Sequence, residues 1–321
     1  TGMYDIVGID QPCVDLSVNL NKFPQKDGRE HILNYSFQGG GKTATGLAAA
    51  ASLGAACALV GNVGDDRLAY FCQKDLDFHG VDARYLIKRP QKYTSFSVVI
   101  SEKETCTRCI LPHRSNGERI RFDEIPEELF KNTKFLYISW VNDDILKAVR
   151  AARSFGAGIV IDADESTEGV NEILPLTDIF IASEKLYEKW FPGSADRDVN
   201  CRAVQAKGPG IVMFTMGGKG CFGMDENGFF SIPAYSVDIV DTLGAGDTFH
   251  GAFVAGRTMG MTAQDSARLA SAAAAIKCTR IGGRAGIPDL KTVRTFMREG
   301  RIDHREIDRR AQFYKEGFEN V

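Results

Sequence analysis

From residue 135 onward the sequence exchanges short apolar runs for amphipathic stretches in regular turn. The runs lie at 135–139, 158–161, 178–181 and 211–215, and the amphipathic stretches at 143–155 and 184–190. Apolar runs this short suit buried strands rather than helices. Consecutive parallel strands need a crossover, and a helix that covers the sheet with its apolar stripe supplies it. The pattern predicts an α/β chain with a mostly parallel central sheet between two helical layers.

The remaining segments fit around that sheet. Residues 4–9 (YDIVGI) predict a strand that delivers polar residues at its carboxyl end, and 56–60 a second one. Residues 66–78 predict an amphipathic helix, and 43–53, nearly all alanine, leucine, threonine and glycine, a helix able to lie close to other backbone. Strands at 221–224 and 229–232 flank Asp225-Glu226-Asn227-Gly228, a hairpin signal, and helices follow near 245–259, 263–277 and 290–299.

Two stretches break the rhythm. Residues 15–20 alternate apolar and polar and 31–37 do so less regularly, and 93–100 and 105–111 alternate again. They predict a β lid at 16–37 and 93–113 on a main domain of 3–15, 38–92 and 114–300. The tail 301–321 carries Ile302, Ile307 and Phe313 among many charges and suits a solvated or docking helix. Thr1-Gly2 ahead of Met3 looks like the remnant of a cleaved tag and is left out of fold reasoning.

Composition narrows the partners. With 44% hydrophobic and 25% charged residues and a net charge of -3, the chain lacks the broad positive field that nucleic acid requires. The longest apolar stretch, around 47–59, contains glycine and serine and is too short for a bilayer, and no signal-peptide pattern is seen, so the expectation is no membrane and the cytoplasm. The eight cysteines are scattered and read as buried thiols, and Cys106 and Cys109 form a lone C-x-x-C without a second pair.

The chemistry concentrates at 237–249, where a strand and a glycine turn lead into an apolar helix with Asp247 in its first turn. The first amides of a helix have no partner and carry partial positive charge, so Gly244, Ala245 and Gly246 suit an anionic phosphoryl group. Asp247 beside them suits the acceptor of a hydroxyl proton, while the plainer reading makes it an N-terminal helix cap.

The run D-T-x-G-A-G-D-x-F resembles the C-terminal signature of the ribokinase-like (PfkB) carbohydrate kinases. That resemblance implies a ribokinase-like three-layer α/β/α sandwich with a small β-strand lid. It implies ATP and Mg2+ as cofactors and a sugar or sugar-like hydroxyl as acceptor, with Asp247 as base, Gly244, Ala245 and Gly246 as anion hole, and pairing through the lid as in several relatives. Asp241 and the backbone at 278–283 resemble the loop pair that holds a monovalent cation, K+ among them, in many members.

Gly40-Gly41-Lys42 resembles the start of the family's G-G-x-x-x-N-x-A signature, with Thr45 where many members have asparagine. The segment GIDQPCVD at 8–15 is similar to the loop in which an aspartate grips sugar hydroxyls. The resemblance thus implies a substrate site of Asp15, Gln11, Gly40, Gly41, Lys42 and Thr45. Residues 215–220 resemble the T-x-G-x-x-G stretch at ATP, implying nucleotide contacts from Thr215, Gly217 and Gly220, with Ser183 at the place of the N-x-x-E motif and Leu186 three residues on.

Other readings stay open from the sequence. A sugar or nucleotide sensor on this fold would tend to lose the base or the glycines, and both remain; a nucleoside kinase is the other alternative. A nicotinamide oxidoreductase would want G-x-G-x-x-G after the first strand, where Gly8 stands alone. His250 reads as a core or surface histidine with a supporting role beside Asp247 as the alternative, and His113-Arg114 as an exposed lid turn.

Overall fold

The computed structural model describes residues 3–315; Thr1-Gly2 and the tail beyond residue 315 lie outside the described residues. The chain opens with β1 (Tyr4–Asp10), β2 (Cys13–Leu20) and β3 (Asn34–Gly40), then α1 (Lys42–Ser52), β4 (Cys57–Val63), α2 (Arg67–Phe78) and β5 (Val81–Lys88). Next come β6 (Ser95–Glu102), β7 (Thr107–His113), α3 (Glu127–Lys131), β8 (Thr133–Ile138), α4 (Asp143–Ser154) and β9 (Gly158–Ala163). They are followed by α5 (Val170–Ile173), β10 (Ile179–Ser183), α6 (Glu184–Trp190), α7 (Arg197–Gln205) and β11 (Ile211–Thr215). The chain continues through β12 (Cys221–Asp225), β13 (Gly228–Ile232), α8 (Ala245–Thr258), α9 (Ala263–Lys277), α10 (Leu290–Glu299) and α11 (His304–Lys315).

Within the described residues the central sheet has the order β13-β12-β11-β10-β9-β8-β1-β4-β5. It is parallel except at the β12–β13 hairpin, which runs antiparallel on β11. Successive side chains of a strand point to opposite faces, so β1 feeds two cores: Ile6 packs with Leu47, Phe253 and Ile276 on one face, Val7 and Ile9 with Leu136, Val149 and Phe214 on the other. This is the three-layer sandwich expected. The strand β5 was not anticipated, because as an edge strand it is buried irregularly along its length and its partner β4 shifts register between Ala58 and Val60.

The predicted flap and second strand pair are one sheet, of order β3-β2-β6-β7. The join is the parallel pairing of β2 with β6, from Cys13 opposite Ser95 to Leu20 opposite Glu102. The β2–β3 ladder runs from Asn19 opposite Asn34 inward to Cys13 opposite Gly40, so Asp15 and Gly40 belong to this small sheet and reach past the boundaries 16–37 read from the sequence. The tail helix docks: Phe313 stacks on Phe78 with ring centroids 4.2 Å apart, and Tyr314 Oη donates to Asp75 at 2.7 Å.

The small-residue helix α1 exists to let α8 approach. A Cβ built on Gly251 would lie 1.8 Å from the carbonyl oxygen of Gly46, a backbone atom with nowhere to go. Gly251→Ala gains about 1 kcal/mol of helix propensity, and the overpacking opposes it with about 1–3 kcal/mol or more. The expected net outcome is a lower urea midpoint for Gly251→Ala, together with disturbance of Asp247 one turn earlier on the same helix.

Candidate active site

The helix α8 begins at Gly244, whose φ of 72° lies in the left-handed region that glycine adopts without steric cost. A side chain there would also strike Gly283, its Cβ 2.8 Å from the Gly283 carbonyl oxygen. The turn is therefore pressed against the 278–283 loop. Of the three amides expected to face an anion, that of Ala245 donates to the Thr242 carbonyl at 3.2 Å. Helix geometry leaves the Gly246 and Asp247 amides as the first-turn donors that point out of the helix. Gly246 has open space beside it.

Asp247 is half-buried on the floor of a cleft at the carboxyl edge of the sheet. Burial and then the neighbouring Asp162 carboxylate push its pKa up, to about 8, while Lys42 acts in the opposite direction. Asp162, at the end of β9, was missed by the sequence reading because it closes an apolar strand like any loop-facing aspartate. It is buried, accepts from Tyr137 Oη at 3.3 Å, and lies 3.3 Å from His250 Nε2. His250 takes the supporting role: its Nδ1 lies 2.6 Å from the Gly246 carbonyl, one turn back, which fixes the ring between the first turn of α8 and Asp162.

Lys42, at the start of α1, forms an ion pair with Asp164. Burial alone would lower its pKa, but Asp162, Asp164 and Asp247 together hold it above the ordinary lysine value. Asp164 is in turn brought down to about 2, against burial, by Lys42 and Ser166. The cleft thus carries one ammonium against three carboxylates, and Asp247 is the carboxylate with the raised proton affinity.

The remaining expected substrate residues cluster at the inner end of the β2–β3 ladder and the start of α1. In the β2–β3 ladder Asp15 lies opposite Gln38 and Gly40 opposite Cys13, and the Asp15 side chain leans diagonally so close to Gly40 that a Cβ there would lie 2.4 Å from Asp15 Oδ2. Burial raises the Asp15 pKa, with Cys13, Arg284 and Ser97 opposing it. The loop at Gly41 (φ 102°) wraps Asp10, another residue the sequence reading passed over, whose carboxylate accepts from the amides of Ala44 and Gln11 at 2.9 and 2.8 Å. The Gln11 side chain reaches toward the Gly117 carbonyl at 3.5 Å. Thr45 is only 2% exposed and its hydroxyl accepts from Arg284 Nε at 3.2 Å, so it meets the floor through that guanidinium rather than directly.

On the other side of Asp247 lies a cavity of about 370 Å³ lined by Thr215, Gly217, Gly220, Tyr235, Ala245 and Gly246. It also contains Arg108 from the lid strand β7, whose Nη1 donates to Thr242 Oγ1 at 3.2 Å, a cation that nothing in the local sequence signals. Ser183 does not line it. Its hydroxyl caps α6, accepting from Leu186 N at 3.3 Å, and Glu184 pairs with Lys219 at 2.8 Å.

Behind the turn, Asp241 is buried and accepts from Leu243 N and Gly282 N, both at 2.9 Å, and from Ser101 Oγ at 3.2 Å. The two loops that resemblance pairs are thus in contact. The Asp241 carbonyl is already engaged, accepting from Lys277 Nζ at 2.8 Å.

An α/β/α sandwich with a strand lid, and a carboxylate beside a glycine-started helix at the sheet's carboxyl edge, defines a phosphoryl-transfer enzyme of the ribokinase type. The chain matches the family described as "pfkB family carbohydrate kinase" over residues 3–290, and it belongs to that family, an ATP-dependent phosphotransferase family. It is 25% identical to an ATP-dependent ribose-1-phosphate kinase of Halopiger xanaduensis over 295 residues, 89% of this chain and 95% of that protein. It is 26% identical to a ribokinase of Haemophilus influenzae, covering 82% of this chain and 89% of the other. The fold is shared with Arabidopsis thaliana ribokinase complexed with ribose and ATP (TM-score 0.76, 21% identity, 92% of this chain and 99% of that one) and with ribokinase from Giardia lamblia (TM-score 0.79, 21% identity, 91% and 99%). Among the described residues no helix is long and apolar enough to cross a membrane.

The electrostatics of the cleft can be read without any substrate. Asp162→Asn removes the neighbouring charge that raises the Asp247 pKa, and Lys42→Met removes the charge that lowers it. In carboxyl ¹³C NMR titrations the Asp247 midpoint is expected to fall in the first variant and rise in the second; no movement in either would show that the two groups do not share a field with Asp247.

Proposed function

We propose that this chain transfers the γ-phosphoryl group of ATP to a hydroxyl of a sugar or sugar-like substrate, with Asp247 as the base. The observation that carries this reading is the position of a carboxylate of raised proton affinity in the first turn of α8, next to outward-facing amides. A base works best with a pKa near the operating pH, and pre-set amides stabilise the charge that develops on the phosphoryl oxygens. Asp15, Gly40, Gly41 and Lys42, with Gln11 at the rim and Thr45 acting through Arg284, grip the acceptor. Lys42 and Arg108 offset negative charge from opposite sides of the transfer point.

The nucleotide occupies the cavity beside Thr215, Gly217 and Gly220, with its terminal phosphate at Gly244–Gly246; Ser183 serves that site only by fixing the start of α6. Kinases of this family use ATP with Mg2+. Mg2+ in such sites is commonly held by phosphate oxygens and water with one or two carboxylates. The β lid covers the acceptor and excludes water, the competing nucleophile. The cytoplasm, where ATP is abundant, suits this chemistry.

The test is a panel of free sugars, sugar phosphates and nucleosides assayed for ATP consumption beside Asp247→Asn. That variant is expected to keep its fold and lose roughly 10²- to 10⁴-fold in kcat; activity within a few-fold of the parent removes Asp247 from the mechanism. Because the pKa of the base is raised, it is protonated and idle at low pH, so kcat/KM is expected to climb with pH and level off above about 8.

The lid leaves Ile32, Leu33, Tyr35, Ile110 and Leu111 exposed, and β3 and β7 are its open edges. These features support pairing of two copies through that sheet. Sedimentation velocity should then find a dimer that Ile110→Glu dissociates, and a monomeric parent chain would count against it.

A further inference from the structure

Lys277 is the last residue of α9, is 0% exposed, and ends in a place no surface lysine occupies. Its ammonium donates to two backbone carbonyls, that of Asp241 at 2.8 Å and that of Leu243. These carbonyls belong to the turn that leads directly into Gly244 and the outward-facing amides of α8. The same turn is tied from its other side, where the Asp241 carboxylate accepts from the amides of Leu243 and Gly282.

Backbone carbonyls converging on one point are the ordinary donor set for a hard monovalent cation, and the loop pair around Asp241 has the look of such a site. Here the donor set does not fit a free ion. The point toward which the Asp241 and Leu243 carbonyls turn is filled by an amine of the chain itself. A second unit charge a few ångströms from the first, out of water, would be repelled strongly. Lysine suits the place: a compact charge with three rotatable donors, at the end of a helix whose terminal carbonyls carry partial negative charge.

We propose that the Lys277 ammonium is a built-in substitute for a monovalent cation: it holds the Asp241–Leu243 turn in the shape that aims the α8 amides at the phosphoryl group, and it makes the enzyme independent of K+. Lys277 does not line the cavity beside Gly246 and acts through the turn, as a positioning residue. The consequence for catalysis rests on the anion-hole reading above, but the cation-binding part does not.

The experiment measures two things on the parent chain and on Lys277→Ala and Lys277→Met: thermal melting without substrates, and steady-state turnover. Both are run in KCl, NH4Cl, methylammonium chloride and choline chloride at equal ionic strength. The parent is expected to melt at the same temperature in all four salts and to turn over within about twofold in each. Lys277→Ala, which leaves a hole lined by the carbonyls, is expected to lose on the order of 10²-fold in kcat in choline. It should recover at least about tenfold in K+, ammonium or methylammonium, with a rise in melting temperature specific to those ions. Lys277→Met fills the hole without charge and should respond to none of them.

A parent chain whose melting temperature or turnover rises strongly and specifically with K+ overturns the proposal, and that result needs neither variant to fold. So does a folded Lys277→Ala that keeps full turnover in choline, or one that loses it and is restored by none of the cations, since that pattern marks a purely structural lysine. If no compound in the panel is phosphorylated, the melting arm still decides the cation question, so failure of the kinase reading and failure of this one remain separable.

Discussion

A single buried ion pair, between Arg284 and Asp75, holds the two halves of the site to each other. Arg284 is 1% exposed, and its guanidinium also donates to the Gly40 carbonyl at 2.9 Å and to Thr45 Oγ1, while its own amide and that of Ala285 donate to Gln38 Oε1. Asp75 accepts from the Gly39 amide and from Tyr314. A lone charge in such a place would be very costly; the pair is tolerated because these hydrogen bonds surround it, while Arg284 Nη1 is held by its ion pair to Asp75 Oδ1 at 3.3 Å without a hydrogen bond of its own. What the pair organises is position: the small sheet through Gln38 and Gly40, α1 through Thr45, α2 through Asp75, and the loop whose Gly282 amide holds Asp241. The start of α1 and the loop against the turn before α8 are thereby tied to one side chain.

The cleft itself is run by imbalance of charge. Asp162, Asp164 and Asp247 crowd around a single ammonium, and Lys42 goes to Asp164 rather than to the other two. Asp164, paired with the ammonium, is held below the ordinary carboxylate range, while Asp247, buried beside Asp162, is held above it.

Much of this was legible in the sequence. The alternation beyond residue 135 gave the parallel sheet because each strand there is a continuous apolar run buried on both faces. The Gly244–Asp247 turn stood out because a glycine turn leads there into an apolar helix and because the run D-T-x-G-A-G-D-x-F resembles the family's signature. Three features were not legible. The union of the two lid pairs depends on β2 pairing with β6 some eighty residues later, a non-local contact that no local pattern encodes. Asp162 and Arg108 look like ordinary strand residues until the fold brings them to Asp247. Lys277 reads as the usual basic residue at a helix end, and only burial distinguishes it.

The bond from Tyr314 to Asp75 spans 239 residues of sequence. During synthesis Asp75 therefore leaves the ribosome long before one of its partners exists, as does Gly40 before Arg284. At about 5–20 residues per second the interval is on the order of ten seconds or more, during which α2 carries a carboxylate that lacks two of its native partners, Arg284 and Tyr314. The surroundings of Asp75 cannot take their final form in a nascent chain, however well the first strands have begun to pair.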